Sequence, residues 1–435
     1  MMLQLLKAQN PIVKNMGLND PHIHIFNDTA YVYASHDKST ASKSFSMDDW
    51  WVWSSPDLVN WTYRSTLKPE NTYLGKPFNQ CWATDAAEKD GKYYFYFSEA
   101  NTQTGVVVGN TPVGPWKDIL GKPLLDSTLT PTHEYDMAVF VDNGQPYIIF
   151  GVWDYYIAKL NEDMISLAEN PRKIIINNPH GPYNLDGKNK AMPTDDKPFV
   201  HKRNGKFYLS WGVFYGMSDN IYGPYNYKGA IMNQESFALG YDKPTWPTGP
   251  LQGRHGSFFE WNNQWYFAYC DISQTGNRYF RETFISYVHY KENGEMAPIR
   301  VDGIGVGNYD ADKGKIEAGD YFKAFGAEVR QMGNGFVVRT TSELSYLGFP
   351  NFKGLDGKTR INFRASAPRN NLFLIELRKD SPFGDLVETY KFYPKPNESL
   401  RDYTFHFPKL DDQETLYFVI KGKKGVNIKL FFLSK

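Results

Sequence analysis

The segment Asp196–Gly212, DKPFVHKRNGKFYLSWG, decides the reading of the fold. An ionisable residue leads a short apolar run, Asn204-Gly205 makes a turn, and an aromatic run follows. Asn-Gly between two such runs is the strongest short-range signal of a β-hairpin. The same pattern recurs as DPHIHIFNDTAYVYAS from Asp20, DAAEKDGKYYFYFSE from Asp85, DMAVFVDNGQPYIIFG from Asp136 and HGSFFEWNNQWYFAYCD from His255. The starts lie 65, 51, 60 and 59 residues apart. Spacing of this kind marks a repeat architecture. Further strand-and-turn segments, SSPDLVNW after the first copy and SDNIYGPYNYKG after the fourth, extend each unit towards four strands. Residues 10–310 carry no sustained helical periodicity. The expectation is an all-β chain whose residues 1–310 form a five-bladed β-propeller. A β-sandwich of unrelated strands is the plain alternative, but it does not predict a shared spacing or a shared leading residue.

Composition narrows the function. The chain has 435 residues with 48 Lys+Arg and 48 Asp+Glu, a formal net charge of zero. A nucleic-acid binder usually carries a basic surplus, so nucleic acid is not expected as a partner. No apolar run approaches the ~20 residues of a membrane span, so no membrane partner is expected either. Residues 1–9, MMLQLLKAQ, hold an apolar patch shorter than a secretory core region. The chain is therefore expected either to stand here without its export signal or not to be exported by one. Cys81 and Cys270 lack metal-type spacing and read as ordinary thiols. Aromatic residues make up 16% of the chain, a surplus that suits both strands and sugar platforms.

The repeat register has a chemical consequence. If the first strand of each unit lines the axis, Asp20, Asp85, Asp136, Asp196 and His255 converge on one pocket. Burying several carboxylates together opposes their ionisation, so a sequence selected only for stability avoids it. Any one of them alone reads equally well as a turn cap or an Arg or Lys partner. Hydrolysis of a glycosidic bond needs one carboxylate to activate water and one carboxylic acid to protonate the leaving oxygen. A third nearby can raise the acid's pKa by like-charge repulsion. His22 and His24 alternate with Ile23 and Ile25, and no acidic or Cys partner for a zinc site is visible nearby in sequence.

These motifs, NDPHIHIF, CWATDAAEKDGKYYFYFS, EYDMAVFVDNGQPYIIFG, DKPFVHKRNGKFYLSWG and GRHGSFFEWNNQWYFAY, together resemble glycoside hydrolase family 43, inverting five-bladed propellers acting mostly on arabinofuranosides and xylosides. The resemblance implies that Asp20 is the general base, that Asp136 tunes and orients the acid, and that Asp196 is the general acid. It also implies substrate binding by Trp82 and Asp85. His255 resembles an axial histidine that holds a calcium ion or its water shell, with a hydrogen-bonded core histidine as the alternative; no other cofactor is required. Where the family has Glu, this chain has Asp196, one methylene shorter. Asp195 is the rival acid, but strand alternation should let only one of the two face the funnel. The alternative function is therefore a catalytically weak or silent carbohydrate-binding protein, and a structural interaction propeller is a third reading.

After Gly307 the aromatic repeat ends, and residues 316–435 read as alternating strands of a jelly-roll β-sandwich. That part resembles carbohydrate-binding module family 6. The family's Glu-Ala-Glu is Glu317-Ala318-Gly319 here, and its closing Asp-Trp pair is Lys429-Leu430, which predicts an empty structural calcium site and weak sugar binding. The implied partner is an oligosaccharide or polysaccharide substrate from plants. The implied location is secreted or periplasmic, with the cytoplasm as the alternative. Oligomeric state is silent in the sequence.

Overall fold

The computed structural model describes residues 10–186, 188–237, 249, 251–272, 275–368, 372–394 and 399–435; the apolar patch at residues 1–9 lies outside them. Among the described residues there is no α-helix, and no helix is long and apolar enough to cross a membrane. Five mostly antiparallel sheets follow one another along the chain. The first comprises Leu18–Phe26, Thr29–His36, Trp50–Ser55 and Thr62–Leu67. The second comprises Cys81–Lys89, Lys92–Glu99 and Gln103–Gly109, and the third runs from Ala138–Asp142 outward to Arg172–Lys173. The fourth runs from Pro198–Arg203 to Tyr225–Ala230, with Ile176–Asn177 added parallel at its outer edge. The fifth comprises Gly256–Trp261, Gln264–Asp271 and Glu282–Val288.

Each sheet opens with the hairpin that the repeat predicts, and all five hairpins turn on two residues with positive φ. These are Asn27-Asp28, Asp90-Gly91, Asn143-Gly144, Asn204-Gly205 and Asn262-Asn263. Two left-handed residues match the natural twist of the flanking strands, and Asn, Asp and Gly tolerate that conformation best. The leading strands of sheets one to five touch in a closed ring, with the fifth meeting the first. Closure buries Leu18, Ile23 and Val32 against Phe259, Tyr266 and Ile285 in one apolar cluster. The amino-terminal segment fastens it: Ile12 N donates to Thr283 O (2.9 Å) and Asn10 Nδ2 to Ile285 O (3.0 Å).

Two more sheets occupy residues 316–434. One orders Ala327–Met332, Gly335–Thr340, Asn427–Ser434, Arg360–Ser366 and Arg401–His406; the other orders Lys323–Phe325, Leu344–Lys353, Gln413–Lys421, Phe373–Lys379 and Leu386–Phe392. They share a core in which Phe349 of one sheet meets Phe431 of the other at 5.0 Å between ring centres, and Phe363 meets Phe418 at 5.5 Å. This part docks on the fifth sheet. Gln264 Nε2 donates to Gly319 O (2.5 Å), Tyr321 OH donates to Asn263 O (2.7 Å), and Phe322 packs edge-on against Trp261.

Candidate active site

The leading strands bring Asp20, Asp136, Asp196 and His255 to one cavity of about 360 Å³ at the ring's centre. The backbone is arranged locally to aim them. Asp20 and Asp136 have φ of 47° and 54°, and a break in strand register between Asn19 and His22 swings Asp20 out of the regular pleat. Left-handed backbone at non-glycine residues persists only where surrounding structure holds it, commonly at functional sites.

His255 joins the cluster. Its Nε2 donates to Asp20 Oδ1 (2.6 Å) and its Nδ1 to Asp196 Oδ1 (3.0 Å). Burial alone would lower the imidazole's pKa, but Asp196 and Asp20 hold it well above its ordinary value, so it is an imidazolium with both N–H groups committed. Hydrogen bonds of 2.6 and 3.0 Å on opposite sides of one ring hold the two carboxyl oxygens apart by up to about 8 Å, a span that reaches the ~6.5–9.5 Å of an inverting pair.

Asp20 is clamped further. Arg281 Nη1 donates to its Oδ1 (2.9 Å), and Ser35 Oγ donates to its Oδ2 (2.6 Å). Arg281 also donates through Nε and Nη2 to Asp37, each at 3.0 Å. Burial would raise Asp20, but the Arg281 guanidinium and His255 hold its carboxyl well below the usual range, so it is ionised at neutral pH. The opposite wall behaves differently. Burial first, then the charge of Asp196, push Asp136 up to about 8, and the same two influences push Asp195 well above the carboxylate range. One side of the cavity thus offers an anion while the other retains protons, the division that acid–base chemistry requires.

Two sequence expectations need correction. Asp195 and Asp196 both line the cavity, because the regular strand begins only at Pro198 and alternation does not yet apply. Asp85 does not reach the cavity. It is fully buried, accepting from Ala86 N (2.7 Å) and Val139 N (2.6 Å), with His22 Nδ1 at 2.7 Å and His24 Nε2 at 2.6 Å. Its assignment to substrate binding therefore falls, and it is the acidic partner of His22 and His24 that the sequence did not reveal. Trp82, three positions earlier, is the residue of this repeat that faces the cavity, with Tyr135 edge-on at 6.0 Å.

The residues around His255 also bear on the calcium that the resemblance implies. Both ring nitrogens are engaged by carboxylates, Asp20 Oδ1 also receives Arg281, and its Oδ2 receives Ser35. A hard cation needs several free oxygen ligands. These residues do not fit one.

Sequence reasoning also missed Arg281, Asp37 and Ser35. The Arg281–Asp37 pair spans 244 residues, and only the ring's closure brings it together. The cavity's rim comes from Phe45 and Met47, between the strands ending at His36 and starting at Trp50, and from Tyr183, ahead of the strand starting at Pro198.

An ionised carboxylate facing a wall of carboxyls that keep their protons, across one pocket, is the arrangement of a glycoside hydrolase. The model of Glycosyl hydrolases family 43 matches residues 8–296, and the chain belongs to that family. A xylosidase/arabinosidase of Bacteroides ovatus is 28% identical over 334 residues, covering 64% of this chain and 94% of the relative. An arabinoxylan arabinofuranohydrolase of Paenibacillus polymyxa is 25% identical over 443 residues, covering 88% and 67%. Among solved structures, a β-xylosidase/α-arabinofuranosidase from a compost microbial metagenome, in complex with xylotriose, matches at 27% identity and a TM-score of 0.55, covering 67% of this chain and 97% of its own. An arabinoxylan arabinofuranohydrolase from Bacillus subtilis, in complex with cellotetraose, shares the fold over 98% of this chain and 97% of its own, at 20% identity and a TM-score of 0.54.

Proposed function

We propose that the protein is an inverting glycosidase that removes arabinofuranosyl or xylosyl units from plant polysaccharides or oligosaccharides. The observation carrying this reading is the His255 bridge, which spaces Asp20 and Asp196 as inversion needs. Asp20, ionised, takes a proton from the water that attacks the anomeric carbon. Asp196, whose side chain is 35% exposed, donates a proton to the departing oxygen. Asp136 keeps that wall protonated and orients the acid, and Trp82 forms a sugar platform. A cavity of about 360 Å³, at the small end for ligand sites, favours exo action or side-chain removal over cleavage within a polymer. Relatives named xylosidase/arabinosidase and arabinoxylan arabinofuranohydrolase support this substrate class. The reaction as read here requires no cofactor.

A second reading of the acid has an observation behind it. Asp195 lines the same cavity, and burial keeps its carboxyl protonated. Asp196→Asn and Asp195→Asn decide between them, because loss of the acid slows substrates with poor leaving groups far more than aryl glycosides.

We read the five sheets within residues 1–310 as the blades of a five-bladed β-propeller and residues 316–435 as a β-sandwich module resembling carbohydrate-binding module family 6. Lys429 acts on Glu317 there, which favours an empty calcium site in that module. A polymeric plant substrate supports a secreted or periplasmic location, with the cytoplasm as the alternative.

Turnover of an aryl α-L-arabinofuranoside and an aryl β-D-xyloside, each with an Asp20→Asn control, tests the function. Hydrolysis of at least one that disappears with Asp20→Asn is expected. Full activity in Asp20→Asn overturns the mechanism, and sugar binding without hydrolysis leaves the carbohydrate-binding alternative.

A further inference from the structure

Lys197 stands between the proposed acid and the strand that follows it, and its surroundings are unusual. Its residue is 1% exposed. Among the described residues the other buried lysine, Lys358, forms an ion pair with Asp312, whereas Nζ of Lys197 has no carboxylate within 4.0 Å and bonds only to Thr84 O at 3.5 Å. Lys197 leads the fourth sheet and Thr84 lies in the leading strand of the second. The leading strand of the fourth sheet packs mainly against those of the third and the fifth, so a side chain running from the fourth sheet to Thr84 of the second passes across the ring. The ammonium therefore lies inside the ring, where its charge also reaches the buried His22.

Placing it there opposes two ordinary preferences. Lys197 has φ of 51°, a left-handed conformation that favours glycine, and a buried ammonium without a direct ion pair is costly. Its charge has something to act on. Asp136 is raised first by burial and by Asp196, and Lys197 is the largest influence drawing it back down. Lys197 also helps to lower Asp20.

We propose that the Lys197 ammonium is a resident axial cation: it stands in the channel where a metal ion would otherwise balance Asp20, Asp136 and Asp196, and so makes the enzyme independent of a metal there. The inference rests on the glycosidase reading for its effect on turnover, and it agrees with a His255 whose nitrogens are both engaged by carboxylates. Lys197 is a positioning residue, since it acts through the carboxylates and does not line the cavity.

The test uses the full chain and two variants. Lys197→Gly suits the left-handed backbone and opens axial space, while Lys197→Met fills that space without charge. After dialysis against a chelator, the wild type is expected to keep its turnover and Tm and to show no response to added calcium. Both variants are expected to lose at least about tenfold in kcat with KM little changed, as misoriented catalytic groups do. Calcium or ethylammonium is expected to restore several-fold activity to Lys197→Gly and raise its Tm, but to leave Lys197→Met unmoved. A wild type that loses stability or turnover on chelation and regains it with calcium overturns the proposal. So does a Lys197→Gly variant that turns over like the wild type without added cation, or one that neither cation rescues. If the wild type hydrolyses no aryl glycoside, the glycosidase reading fails on its own, and the calcium response of Tm in wild type and Lys197→Gly still decides the role of Lys197.

Discussion

Asp136→Asn should make the protein more stable while sharply lowering its activity. In the fold, burial and the neighbouring Asp196 hold the Asp136 carboxyl near about 8, against an ordinary value of 3.8. Because the folded value is raised, this group imposes no penalty below 3.8, a growing one as pH climbs towards 8, and a constant one beyond. Each pH unit in that interval costs about 1.4 kcal/mol, so keeping the proton at pH 7 costs up to ~4 kcal/mol. A gain of about 2–4 kcal/mol is expected. Asparagine has the shape of the neutral acid and never ionises. Urea denaturation of wild type and Asp136→Asn near pH 5 and near pH 8 measures the difference. The variant should gain stability at both, by more at the higher pH. A gain independent of pH, or a loss near pH 8, would refute the argument that this carboxyl is held protonated by its surroundings.

Replacing Arg281 with Met leaves Asp20 and Asp37 buried without their guanidinium. A loss of about 3–5 kcal/mol in denaturation is expected, with no recovery in Arg281→Lys, which cannot supply the same forked donors. Asp85→Asn should lower stability by about 1–3 kcal/mol through its anchoring bonds to Ala86, Val139 and His24, while KM for an aryl glycoside stays within about twofold. The pH profile of kcat/KM should fall on the alkaline side near about 8, as the Asp136 wall loses its proton, while the acid side stays open because Asp20 is held low. An alkaline limb that Asp136→Asn leaves in place, measured on whatever activity that variant retains, would count against this assignment.

Much of this architecture is written locally. Each hairpin is encoded by two turn residues and the runs beside them, so Asn204-Gly205 and Asp90-Gly91 are legible without any knowledge of the ring. The convergence of Asp20, Asp136, Asp196 and His255 is legible as well, because a shared register becomes a shared position once the leading strands close. The same logic misplaced Asp85. Its strand runs Cys81–Lys89 with a register break between Trp82 and Thr84, so the aspartate sits inside the strand and Trp82 takes the place facing the cavity. Asp195 was misjudged for a related reason, since alternation governs only residues already in a strand. Arg281 pairs with Asp37 across 244 residues, and Lys197 reaches across the axis, so both depend on closure of the ring.

Inversion requires Asp20 and Asp196 to act from opposite sides of the sugar. Proton NMR of an aryl α-L-arabinofuranoside or aryl β-D-xyloside during hydrolysis, read before the free sugar mutarotates, tests it most directly. The first product should carry the anomeric configuration opposite to that of the substrate, β-arabinose or α-xylose. First release of the retained anomer would contradict it.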